Sequence, residues 1–136
     1  MREIKFRAWQ KYHKQMLDVT NIGFRDGEIY SLTVEYPEGT IPRFVTYGKD
    51  YDKFWIDDDC IKLMQYTGFK DKNGKEIYEG DIVKFESGHL MKVIFDTEEN
   101  PSFMVEDDER LLFIKKGISY EVIGNIYENP ELLEEE

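Results

Sequence analysis

The 136 residues are 40% hydrophobic and 15% aromatic, with nine Tyr and nine Phe, which suits one domain-sized core built from strand formers rather than from helix. Ala occurs only at Ala8, whereas a helical domain uses it freely. The net charge is −11, which argues against broad affinity for phosphate backbones, and the lone Cys60 excludes an intrachain disulfide or a multi-cysteine metal cage.

Arg2 to Trp9 alternates, with Ile4, Phe6 and Ala8 on one face and Glu3, Lys5, Arg7 and Trp9 on the other, which predicts a half-buried strand. A polar turn over residues 10–14 leads to a short return strand at Met16 to Val19, giving an N-terminal hairpin. Asp26-Gly27 is a tight-turn signal, since both residues tolerate positive φ. Tyr30, Leu32, Val34 and Tyr36 then alternate with Ile29, Ser31, Thr33 and Glu35 as another strand. Pro37, Gly39 and Pro42 interrupt regular structure before a short strand at Phe44 to Tyr47. Gly48 to Asp59 reads as a polar loop, with Phe54 and Trp55 as anchors.

Ile61 to Thr67 is predicted to be a strand. Asp71-Lys72-Asn73-Gly74 follows as a turn whose Asn-Gly pair suits a type I′ hairpin. Short strands are expected at Ile82 to Glu86, Leu90 to Asp96, Phe103 to Val105 and Leu111 to Ile114. Ile118 to Tyr127 is the cleanest alternation, with Ile118, Tyr120, Val122 and Ile126 on one face. Residues 128–136, with five Glu, read as a solvated tail or a short frayed helix. The whole chain is thus expected to be a single mainly β domain, α+β only at its margins. Within it a loop-rich part (about 1–60) carries an N-terminal β-hairpin lobe, and an SH3-like or half-barrel part follows (about 61–127).

Chemistry-bearing motifs are few. Neither GxGxxG nor GxxxxGK[ST] occurs, and His13 and His89 cannot form HExxH. A Cys60–His pair is open on sequence, but a lone Cys is more often a small buried apolar residue. Asp50, Asp52, Asp57, Asp58 and Asp59 gather carboxylates suited to a hard cation, yet their spacing fits no known cation loop, and a solvated acidic loop is the better reading. Asp71-x-Asn73 imitates the start of an EF-hand but has Glu76 at the sixth position and Ile82 at the twelfth, where Gly and Glu are needed. No cofactor, metal or catalytic residue is assigned. The candidate interaction surface is basic: Lys5, Arg7 and Trp9 on the first strand, Lys11 and Lys14 in the turn. Charge beside an aromatic can hold single-stranded nucleic acid; pairing with acids on neighbouring strands is the competing account.

Leu63-Met64-Gln65-Tyr66-Thr67-Gly68-Phe69-Lys70-Asp71-Lys72-Asn73-Gly74-Lys75-Glu76-Ile77-Tyr78-Glu79-Gly80-Asp81-Ile82-Val83 is a distinctive string. With the opening Ile4-Lys5-Phe6-Arg7-Ala8-Trp9 and the closing Val122-Ile123-Gly124-Asn125-Ile126-Tyr127-Glu128-Asn129-Pro130-Glu131-Leu132, it resembles the YopX family, small proteins encoded mainly by bacterial phages and prophages. The resemblance spans both ends and the middle. It implies mainly β structure with a small-barrel C-terminal part, and carries over no activity, cofactor or functional residue.

MREIKFRAW contains no continuous apolar stretch, and the longest apolar run, Leu111 to Ile114, cannot span a bilayer. The expectation is a protein of the bacterial cytoplasm without membrane contact. The preferred function is a non-catalytic accessory module that binds a host or phage protein or assembles with itself. The alternatives are a nucleic-acid-binding small barrel, an acidic DNA mimic acting on a host factor, and, least favoured, a metal-dependent enzyme using the acidic loop.

Overall fold

Asp26 and Gly27 both adopt positive φ, 53° and 82°, and this two-residue I′ geometry makes the tightest hairpin of the chain. It joins β2 (Gln15–Arg25) to β3 (Glu28–Glu35), with Arg25 opposite Glu28. The computed structural model describes residues 3–48, 61–96 and 101–134; the acidic loop, Phe54, Trp55 and Cys60 lie outside them. The chain divides into two compact units, Lys5–Met64 and Met1–Ile4 with Gln65–Glu136. β5 (Ile61–Lys70) begins in the first and ends in the second.

In the first unit β1 (Phe6–Gln10), β2, β3 and β4 (Phe44–Gly48) follow one another as antiparallel neighbours, and β5 lies beside β1. β2 is far longer than the predicted four residues, since Thr20, Asn21 and Phe24 remain in the ladder against β3 through two register shifts. The alternation of Leu32, Val34 and Tyr36 delivers all three inward. They pack with Ala8, Leu17, Tyr47 and Ile61 in one cluster. Within it Tyr36 Oη and Tyr47 Oη are 2.8 Å apart, Gln10 Nε2 donates to Tyr47 Oη at 3.3 Å, and His13 Nδ1 lies 3.1 Å from Tyr36 Oη.

In the second unit β5 continues and pairs with β6 (Glu76–Tyr78), an element too short to leave a pattern in the sequence. A five-stranded antiparallel sheet follows, made of β7 (Asp81–Lys84), β8 (Leu90–Asp96), β9 (Ser102–Glu106), β10 (Leu111–Phe113) and β11 (Glu121–Asn125). Its order is β10-β9-β8-β7-β11. The last strand returns to the first, and β10 and β11 do not pair. The expected β class holds, and the sheet stays open instead of closing into a barrel. Ile77, Val83, Met91, Val93, Val105, Ile114 and Tyr120 form its core.

Two sequence-based details differ. The loop after β5 is not type I′: of its residues only Gly74 has positive φ, at 83°. It is organised instead by Asp71, whose Oδ1 accepts the amides of Asn73 and Lys75 at 2.8 and 2.9 Å, while Gly74 N–H donates to Asp71 O at 3.0 Å. The alternation over Ile118 to Tyr127 also fails as one strand. Ile118 is exposed, and a register shift between Val122 and Gly124 breaks the period. The acidic end forms a 3-10 helix, Pro130–Leu133.

A candidate protein-interaction edge

β1 lies between β2 and β5, so it has neighbours on both sides, and Ala8, Trp9 and Gln10 are buried in succession. That covers both of its faces. Trp9, at 9% exposure, therefore cannot offer its ring as a stacking platform beside Lys5 and Arg7, which are themselves half-buried. Arg7 sits directly opposite Asp18 in the ladder, the cross-strand charge pairing that competed with nucleic-acid contact. Lys11 and Lys14 are exposed in the following turn. The five residues do not form one open surface.

The family-like string turns out to be rich in side chains that bind backbone. Asp71 Oδ2 reaches across to the Val122 amide at 2.9 Å. Burial by itself would raise this carboxyl, but the amides of Val122, Lys75 and Asn73 and the Lys75 charge outweigh it and hold it below the ordinary value. All this proton-donor contact leaves Asp71 a loop organiser rather than a cation ligand. Asp81, 1% exposed, accepts the Tyr78 amide at 2.8 Å. Asn125 Oδ1 accepts from Tyr127 and Glu128, and Asn129 Oδ1 accepts the Asn125 amide at 3.2 Å. Gly124 is required where Asn129 folds back, since a Cβ there would lie 2.5 Å from Asn129 Oδ1. Among the described residues no cluster of His, Cys, Asp or Glu has metal-holding geometry.

A second polar group lies at the far side of the five-stranded sheet. His89 Nε2 contacts Asp107 Oδ2, at the wall of a groove of about 690 Å³ that Lys92, Glu106, Leu132 and Leu133 also line. Asp107 Oδ1 accepts the amides of Glu109 and Arg110 at 2.8 and 2.6 Å. The His89 hydrogen bond, then these amides, hold the Asp107 carboxyl down at about 2. The carboxylate thus pins the bend that delivers the chain into β10.

β10 carries the clearest feature. Leu111, Leu112 and Phe113 are 45%, 41% and 50% exposed. These three consecutive large apolar side chains stand on an edge strand, a placement that soluble proteins usually avoid. The ladder to β9 fixes which backbone groups are free. Asp107 N–H donates to Arg110 O at 3.0 Å and Ile114 N–H to Phe103 O at 3.4 Å, with Leu112 opposite Val105. Even-numbered residues therefore bond β9, and Leu111 and Phe113 aim their N–H and C=O groups at the open side. The other edge is treated differently: the Val122 and Asn125 amides of β11 are taken by Asp71 and Asn129. One edge is capped by side chains and one is open. The sequence analysis found the β10 run as a strand but missed its exposure. The usable signal was an unbroken apolar run framed by charges, where a half-buried strand should alternate.

An open antiparallel sheet with an apolar free edge defines a mainly β chain suited to strand addition. Residues 5–134 match the family model described as YopX protein, and this chain belongs to the YopX family. It is similar in structure to protein EF1440 from Enterococcus faecalis, with 34% identity, a TM-score of 0.66 and coverage of 98% of this chain and 100% of that one. It also resembles protein yopX from Bacillus subtilis, at 24% identity and a TM-score of 0.56 over 100% and 99% of the two chains, a likeness of fold. No curated protein matches it. Among the described residues no helix is long and apolar enough to cross a membrane.

Proposed function

We propose that this YopX-family chain is a non-catalytic protein-binding module, a phage or prophage accessory of the bacterial cytoplasm, that engages its partner by strand addition at β10. The observation that carries the reading is the open edge itself: Leu111 and Phe113 direct unpaired backbone groups outward, and the side chains of Leu111, Leu112 and Phe113 stand exposed beside them. Strand addition draws affinity from main-chain hydrogen bonds and specificity from alternate side chains, and both are on offer here.

A photoreactive residue in place of Leu112 tests this. Protein adducts are expected from that position. They should disappear when Phe113→Pro is added, because Pro removes an outward N–H without touching the bonds to β9. Adducts that survive Phe113→Pro, or none from position 112, would contradict strand addition.

A further inference from the structure

We infer that the partner added at β10 is a second copy of this chain, paired antiparallel about a two-fold axis through Leu112. This deepens the strand-addition reading and rests on it.

Backbone parity limits the pairing first. Only Leu111 and Phe113 face outward, so they must provide the hydrogen-bonded positions, and a two-fold register has to be centred on residue 111, 112 or 113. The flanking sequence then selects among the three. Centring on Leu112 puts Leu111 opposite the second copy's Phe113, and Leu112 opposite its own equivalent. Arg110 faces Ile114, and outside these Glu109 faces Lys115 and Asp108 faces Lys116. Apolar residues meet apolar ones, and each acid meets a lysine, twice over by symmetry. Centring on Leu111 sets Glu109 against Phe113. Centring on Phe113 sets Arg110 against Lys116. Both registers bury or oppose charge unfavourably.

Asp108, Glu109, Lys115 and Lys116 are all exposed, so they are available to a second copy. The segment Asp108-Glu109-Arg110-Leu111-Leu112-Phe113-Ile114-Lys115-Lys116 is complementary to itself when reversed. The net charge of −11 opposes indiscriminate association of two copies, and leaves a pairing that sets acid against base as the favoured one. Four outward backbone bonds, two from each copy's Leu111 and Phe113, would join the two five-stranded sheets edge to edge.

Sedimentation equilibrium of the full chain tests the register by charge exchange. The wild type is expected to dimerise. Asp108→Lys with Glu109→Lys, and separately Lys115→Glu with Lys116→Glu, should each weaken the dimer about tenfold or more through like-charge repulsion. Mixing the two variants should restore dimers, which shows that both still fold. Combining all four changes in one chain should also restore them. A wild type that stays monomeric while Leu112 still cross-links to another protein overturns this inference and leaves strand addition standing. Dimers insensitive to both charge variants but lost in Phe113→Pro overturn the register. Dimers that persist in Phe113→Pro overturn strand addition as well.

Discussion

Asp71 shows how one side chain holds distant parts of the second unit together. Its Oδ1 organises the loop between β5 and β6, and its Oδ2 caps the edge of β11 at Val122. Because its folded-state pKa is lowered, the stabilisation it supplies is present above the ordinary carboxyl value and is lost as pH falls through the lower folded one. Asp107, held at about 2 against 3.8, acts in the same direction over the same acid range. Glu79 has the opposite sign: burial raises its pKa, so its contribution improves as it protonates. Acid unfolding followed by circular dichroism should therefore have a shallower slope below about pH 4 in Asp71→Asn than in the wild type; an unchanged slope would deny Asp71 this role. In the first unit, Tyr47 is 1% exposed and bonds both Tyr36 and Gln10. Tyr47→Phe strands those partners and should cost about 1–3 kcal/mol in urea unfolding.

At the scale of elements, legibility followed covering. The turn at Asp26-Gly27 and the alternation of β3 were readable because local backbone chemistry and one buried face decide them. β1 misled: its period-two pattern marks one polar face, yet β2 and β5 flank it and Trp9 is buried. Neighbour identity is not written in a strand's own residues. β6, with three residues, is too short to show a period. The segment from Ile118 looked like one strand because its spacing was right, but the shift at Gly124 and the fold-back of Asn129 are tertiary facts. Gly124→Ala should push Asn129 off the Asn125 amide and cost about 1–3 kcal/mol, read by chemical denaturation. Stability unchanged within error would mean that Asn129 moves aside freely. Exposure of β10 was the part of the site least visible beforehand, since a buried strand and an open apolar edge share the same letters.

For the molecule as a whole, an acidic surface keeps copies apart while β10 offers a single self-complementary exception. The family match and the open sheet order are compatible with that division of labour: capped at β11, open at β10. Amide hydrogen exchange at these residues, measured across a dilution series of the wild-type protein, tests it most directly. Leu112 and Ile114, bonded to β9, should be protected at every concentration, whereas Leu111 and Phe113 should gain protection as concentration rises. Leu111 and Phe113 amides that exchange freely at every concentration would contradict pairing at β10.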